Sequence, residues 1–179
     1  MNKVRRIEAG EFDLYKRLRL DALKEDPAAF VTTYEEAISR SDESWRNQAD
    51  EAATSAERAL FFAFVNETAA GLAGLYRDQD NPQAGEFIQV WIAPPFRKRG
   101  LAMQLIEFAA DWARKRQLRT VKAIVAKENA GVISFYEKCG FSRPPLNIEV
   151  SDQELTLQLK MRMAPTVLTA YIIVHYLSC

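Results

Sequence analysis

Along this chain the spacing of apolar residues changes several times, and each change marks an element. Phe12, Tyr15, Leu18 and Ala22 recur at steps of three and four, one face of a helix that Pro27 stops. Ahead of it, Lys3 to Ala9 reads as a short first strand. A second helical stretch runs from about Thr33 to Ala53. It is polar and charge-rich, with Tyr34, Ile38 and Trp45 as its apolar points, and is expected to lie over the edge of a site rather than in a core. "ALFFAFV", Ala59 to Val65, is a continuous apolar run that predicts a buried strand. "NET" turns the chain and "AGLAGLYR" returns as the second strand of a hairpin. "DQDNPQAG" is loop by composition, and a third strand follows from Glu86 to Ile92, ending at Pro94-Pro95. Leu101, Leu105, Phe108, Ala109 and Trp112 mark the next helix, and Thr120 to Ala126 another apolar strand. "NAGVISFYEKCGF" predicts a helix capped by Asn129 and stopped by Gly140, with Val132, Phe135, Tyr136 and Cys139 on its apolar face. Leu155, Leu157, Leu159, Met161 and Met163 alternate with other residues, a strand with one buried face.

The resulting order, β-α-α-β-β-β-α-β-α-β-β, has hairpin connections in its first half and helical crossovers in its second. It predicts an α/β chain of the α+β kind, with one mixed sheet and helices on its faces. No linker interrupts it, so residues 1–163 are expected to form a single domain. Residues 164–179 would be an apolar extension. Within that extension Thr166 to Leu177 is too short for a typical membrane span. An extra strand reaching a partner subunit, and so a homodimer, is one reading of it; a reading-frame artefact is another.

Composition narrows the chemistry. Of 179 residues, 48% are hydrophobic, and 24 basic residues balance 24 acidic ones. Zero net charge argues against global attraction to nucleic acid or to an anionic membrane, so any basic patch acts locally. Cys139 and Cys179 make no disulfide framework, and no Cys/His cluster has zinc spacing, so no metal site is expected. His175 stands alone, which leaves a histidine triad little to draw on. The N-terminal "MNKVRRIEAGEF" lacks the apolar core of a signal peptide, and a cytoplasmic protein is expected.

The stretch "VWIAPPFRKRGLAMQLIEFAADWARK" concentrates the chemistry. It runs from an apolar strand through two prolines and a basic cluster directly into an amphipathic helix. A helix start presents N–H groups without intrahelical partners and the positive end of the helix dipole, so anions bind there. Gly100 removes a side chain where a ligand would approach the backbone, and Arg97, Lys98 and Arg99 add charge suited to phosphate oxygens. Neither GxxxxGK[ST] nor GxGxxG occurs. "RKRGLA" instead fits [Q/R]-x-x-G-x-[G/A] and resembles the acyl-CoA loop of the GNAT N-acetyltransferase superfamily. About 30 residues on, "NAGVISFYEKCGF" resembles that family's N-x-x-A-x-x-x-Y-x-x-x-G-F signature. Asn129, Tyr136, Gly140 and Phe141 match it, and Val132 stands in place of its alanine.

The resemblance implies the GNAT-like acyl-CoA N-acyltransferase fold, acetyl-CoA as cosubstrate, and acetyl transfer to a primary amine by direct attack in a ternary complex. It implies that the strand before the loop splays from its parallel neighbour, and that the backbone of Val90, Trp91 and Ile92 pairs with the pantetheine arm. Arg97, Lys98, Arg99, Gly100, Leu101 and Ala102 would hold the pyrophosphate. Asn129 would contact pantetheine, act as a plain N-cap, or both. Tyr136 matches the family tyrosine that protonates the departing CoA sulfur, although a core tyrosine would sit on the same helix face. A backbone N–H near Trp91 or Ile92 would polarise the carbonyl. Glu86, fourteen positions before Gly100, stands in the register of the glutamate base of histone-type members. Period-two alternation puts it on one face with Ile88, Val90 and Ile92. An exposed glutamate at the strand start, with a water chain as base, is the competing account.

The acceptor would be a small-molecule or peptide amine, chosen by the segment from Ala28 to Ala53. There Glu35, Glu36, Asp42 and Glu43 suit a cationic acceptor and equally suit a solvated helix face. A rival class is a catalytically silent CoA-binding regulatory module, which would keep the loop and make Tyr136 and Glu86 dispensable. Nucleic-acid binding through "RKR" lacks the interleaved aromatic residues it would need.

Overall fold

In the computed structural model, which describes residues 1–144 and 153–161, six strands form one sheet in sequence order. They are β1 (Asn2–Arg6), β2 (Arg58–Val65), β3 (Thr68–Arg77), β4 (Ala84–Ile92), β5 (Thr120–Ala126) and β6 (Glu154–Lys160). Every neighbouring pair is antiparallel except β4 and β5. The exception follows from the connection, because only a crossover element returns the chain in the same direction. Here it is α4 (Leu101–Lys115), packed on the sheet. The remaining helices are α1 (Phe12–Glu25), α2 (Tyr34–Ile38), α3 (Asp42–Thr54) and α5 (Ala130–Lys138).

Each face of the sheet carries its own core. On one, Phe61, Leu75, Phe87, Val121 and Leu157 pack under Leu105, Ile106 and Trp112 of α4 and Tyr136 of α5. On the other, Leu60, Phe62, Leu72 and Trp91 meet Tyr15 and Leu18 of α1 and Trp45 of α3. The sheet is therefore a wall between two apolar layers, and a residue on β4 chooses its layer by the parity of its position.

Several expectations are corrected. The stretch Thr33–Ala53 is two helices, broken at Ser39–Ser41. Thr33 and Glu36 form a capping box at the start of α2, and the Ser41 hydroxyl accepts from the Ser44 N–H at the start of α3. Nor does this region stay outside the core. Trp45, Ala49 and Ala52 are fully buried, a narrow apolar stripe at helical spacing that the surrounding charges conceal in the sequence. Ile38, by contrast, is 49% exposed. On α4 the buried stripe includes Ile106 and Ala113, while Phe108 is 42% exposed and meets Phe61 edge-on at its margin. In β6 both faces contribute, since Thr156 is buried as well as Leu157. The order predicted from sequence ends in two strands; β6 is described, and Ser142 makes an isolated bridge to Gln158. Met163 and residues 164–179 lie outside the described residues, as does any strand predicted there.

Candidate active site

β4 is paired with β5 only from Ala84 to Phe87, opposite Thr120 to Ala123. Beyond that point β5 continues with β6 as far as Ala126, and β4 continues with β3 as far as Ile92. The two parallel strands part at Phe87, so the backbone from Ile88 to Ile92 loses its partner on one side. The divergence coincides with a bulge: Leu72 faces Trp91 and Gly74 faces Ile88, leaving Gln89 and Val90 opposite the single residue Ala73. Gln89 takes a φ of 58°, the left-handed region that a glutamine rarely occupies. The Tyr15 hydroxyl donates to its Oε1 at 3.1 Å and holds it there. Gly71 of β3 makes the closeness possible. A Cβ at that position would lie 2.5 Å from the Trp91 carbonyl oxygen.

The bulge also corrects the face assignment on β4. Glu86 and Ile88 keep the parity of the α1/α3 side, but one inserted residue turns Val90 and Ile92 to the α4/α5 side with Phe87. Trp91 packs in the opposite layer, so both Trp91 and Ile92 bury their side chains and leave only main chain to face the fork.

The fork leads into the basic turn. A single turn of 3-10 helix, Pro94–Phe96, is followed by Lys98 at φ 60° and Gly100 at φ 77°. Gly100 is the N-cap of α4, and no side chain caps it, which leaves the first N–H groups of a fifteen-residue helix open to an anion. A Cβ on Gly100 would meet nothing within 4 Å, so the space above the helix start is clear. Leu101 is buried and Ala102 half-buried, anchoring the turn from below. Lys98 and Arg99 are exposed, the latter 5.9 Å over the Phe96 ring.

Arg97 has a different occupation from the one its motif position suggests. Its Nε donates to the Ile92 carbonyl at 2.8 Å and its Nη2 to Glu25 at 2.5 Å. The Trp91 indole N–H donates to the same Glu25 carboxylate at 3.1 Å. Glu25, the last residue of α1, thus ties that helix to β4 and to the loop, and the Arg97 guanidinium and Trp91 indole hold its carboxyl below the usual range. Nothing in the sequence links Glu25 to a partner 72 positions away.

Asn129 caps α5, its Oδ1 accepting from the Val132 N–H at 3.1 Å, and is otherwise exposed. Tyr136 is 6% exposed. Its ring meets Phe141 at 5.0 Å, and Phe141 meets Phe87 at 6.0 Å, so the aromatic chain ends where β4 and β5 part. Burial pushes the Tyr136 phenol far above its ordinary value, so the hydroxyl stays protonated. The Cys139 thiol is pushed up to about 11, first by burial and then by Glu107, as suits a packed thiol rather than a nucleophile. Glu86 is half-buried, opposite Tyr76 on β3 and Lys122 on β5. Burial and then the Glu86 carboxylate raise the Tyr76 phenol to about 12, while the Lys122 ammonium is taken by Asp78 at 2.5 Å. Glu86 and Tyr136 therefore stand on opposite faces of the sheet at the root of the fork.

The acidic residues suggested for a cationic acceptor have local duties. Glu36 closes the α2 capping box, and Asp42 pairs with Lys16 at 2.6 Å. Glu35 and Glu43 are exposed in the first turns of α2 and α3, where the helix dipole favours acids. Among the described residues no helix is long and apolar enough to cross a membrane.

Known proteins share this fold. A profile of the Acetyltransferase (GNAT) family matches residues 16–141. Streptothricin acetyltransferase of Escherichia coli is 31% identical over 86 residues, 48% of this chain and 48% of that protein. An uncharacterized N-acetyltransferase of Methanocaldococcus jannaschii is 39% identical over 59 residues, 33% of this chain and 26% of that one. The matches thus span about a quarter to a half of those curated relatives. Among solved structures, a GNAT-family acetyltransferase from Streptococcus pneumoniae superposes with a TM-score of 0.74 at 20% identity, covering 90% of this chain and 100% of that one. The PaiA N-acetyltransferase of Thermoplasma acidophilum, in complex with coenzyme A, gives 0.71 at 16% identity over 90% of this chain and 99% of its own. With a forked mixed sheet, a glycine-capped helix at its mouth and a family profile over most of its length, the chain belongs to the GNAT acetyltransferase family.

Proposed function

We propose that this chain transfers acetyl from acetyl-CoA to a primary amine by direct attack within a ternary complex. The observation that carries the reading is the fork of β4 from β5 leading straight into the uncapped start of α4. An extended pantetheine arm fits beside Val90, Trp91 and Ile92, where main-chain groups turned away from β3 supply strand-like hydrogen bonds, the Ile92 carbonyl excepted because Arg97 holds it. The N–H groups after Gly100, with Lys98 and Arg99, suit the pyrophosphate, and the clear space over Gly100 supports the fit. Arg97 then acts by holding the loop, and Asn129 keeps an amide N–H to offer while its oxygen caps α5.

In the transfer the amine nitrogen bonds to the thioester carbonyl carbon and the carbon–sulfur bond breaks. A main-chain N–H near Trp91 or Ile92 stabilises the charge on the carbonyl oxygen. The amine gives up a proton to Glu86 or to water chained to it. Tyr136, held neutral by burial, supplies a proton to the departing thiolate. The catalytic domain is read as residues 1–163.

Calorimetric titration with acetyl-CoA tests the reading first. Micromolar binding is expected, abolished in Gly100→Glu with the fold intact, because a Cβ there meets no protein atom within 4 Å and strains only the backbone angle. An intact protein that binds neither acetyl-CoA nor CoA would sink the proposal. Binding with no acetylation of any amine would instead leave a CoA-binding module.

A further inference from the structure

Arg19 of α1 is 5% exposed, and its Nη1 is fully buried with no hydrogen-bond partner among the described residues. Its guanidinium lies 4.3 Å over the Phe30 ring. The ionisable groups acting on it are the Tyr15 phenol and a second cation, Arg40; no carboxylate is among them. Arg40 lies 4.1 Å over the Trp45 ring and donates to the Ser44 hydroxyl at 3.0 Å and to Gln48 Oε1 at 2.7 Å, all neutral partners. Two guanidinium groups therefore lie near one another beside Tyr15, with no counter-charge among the described residues. Burial and then Arg40 act to lower the Arg19 pKa. A cation removed from water without an anion is costly, and proteins keep such groups where a ligand supplies the missing charge.

The location gives the cluster a purpose. Tyr15, which lies between these cations and the sheet, bonds Gln89, the strained residue directly before Val90 on the free edge of β4. The cations thus face the α1/α3 side of the strand on which the acetyl group would be presented. A flat anion with two oxygens matches a guanidinium edge, and the rings of Phe30 and Trp45 back the two cations.

Resting on the acetyltransferase reading above, we infer that the acceptor is an amine that also carries a carboxylate, of amino-acid type, bound by Arg19 and Arg40. The acidic residues of α2 and α3 do not select it. The carboxylate docks between the two guanidinium groups while the amine points toward Val90 and Trp91.

The test has two arms. In the first, acetyl-CoA turnover is compared across L-amino acids, their carboxamides and spermidine. A preference of about 10- to 100-fold in kcat/KM for the carboxylates is expected, the loss that follows from removing one charged hydrogen-bond partner. Arg40→Gln, half-exposed and so tolerant of change, should collapse that preference through KM. Spermidine or the carboxamides turned over as well as the amino acids would overturn the inference, as would a preference unchanged in Arg40→Gln. The second arm needs no turnover: tryptophan fluorescence, with Trp45 beside Arg40, is titrated with N-acetyl-L-phenylalanine and with its amide. Saturable quenching by the acid alone, weakened in both Arg40→Gln and Arg19→Gln, supports the site. Equal response to acid and amide overturns it even where acetyl-CoA binds. Failure of acetyl-CoA itself to bind sinks the acetyltransferase reading and is scored separately.

Discussion

Tyr136 and Gln89 are the two residues whose local situations ask most of the fold. The Tyr136 ring packs edge-on against Phe135 and Phe141, contacts that a phenylalanine keeps, so Tyr136→Phe should change stability by less than about 0.5 kcal/mol. If it protonates the leaving thiolate, the same change should lower kcat by about 100-fold or more with acetyl-CoA affinity retained, as separate titration and stopped-time assays would show. A structural tyrosine would give the reverse pattern. Gln89 carries a left-handed backbone angle secured by Tyr15, so Gln89→Ala keeps the strain and loses the tie. It should cost about 1–2 kcal/mol in urea unfolding. Legibility divides along the same line. The places of Gly100 and Asn129 as helix N-caps and of Tyr136 on the buried face of α5 were readable because each belongs to a fixed local pattern. Glu25, Tyr15, Arg19 and Gln89 were not, because their partners lie 66 to 74 positions away or are defined by lacking a counter-charge.

Among elements, β4 decides the site, and its two supports can be removed one at a time. Gly71→Ala would place a Cβ 2.5 Å from the Trp91 carbonyl, and that main-chain contact cannot be relieved by turning a side chain. We expect β4 to shift, with loss of acetyl-CoA affinity accompanying a lower melting temperature. Glu25→Gln removes the charge that gathers Trp91 and Arg97 while leaving the main-chain anchor from Arg97 to the Ile92 carbonyl, so weaker acetyl-CoA binding with little change in melting is expected. The sequence showed where most strands and helices lie, since their periods are clean. It missed the bulge because glutamine carries no sign of a left-handed angle, and one inserted residue was enough to reverse the faces of Val90 and Ile92. It likewise merged α2 with α3, because short polar helices separated by serines keep a helical composition throughout.

At the scale of the molecule, two apolar layers on one sheet bury several phenols together. Tyr15, Tyr76 and Tyr136 all have raised values, chiefly through burial. The folded state therefore holds these protons more tightly than the unfolded chain, whose tyrosines titrate near about 10. Their contribution to stability is full below that pH and is lost as pH climbs toward the folded values. Urea midpoints measured upward from about pH 9 should fall steeply, and less steeply in Tyr136→Phe; parallel profiles would contradict the assignment. The parting of β4 from β5 has one more consequence. Free strand edges are where soluble proteins stick to one another, which is why they are usually shortened, charged or covered. This protein keeps such an edge between two of its own strands, so a neighbouring molecule would have to prise the sheet wider to add a strand there, whereas a thin unbranched chain can slip in. The same opening offers backbone hydrogen bonds to a small guest and withholds them from another protein.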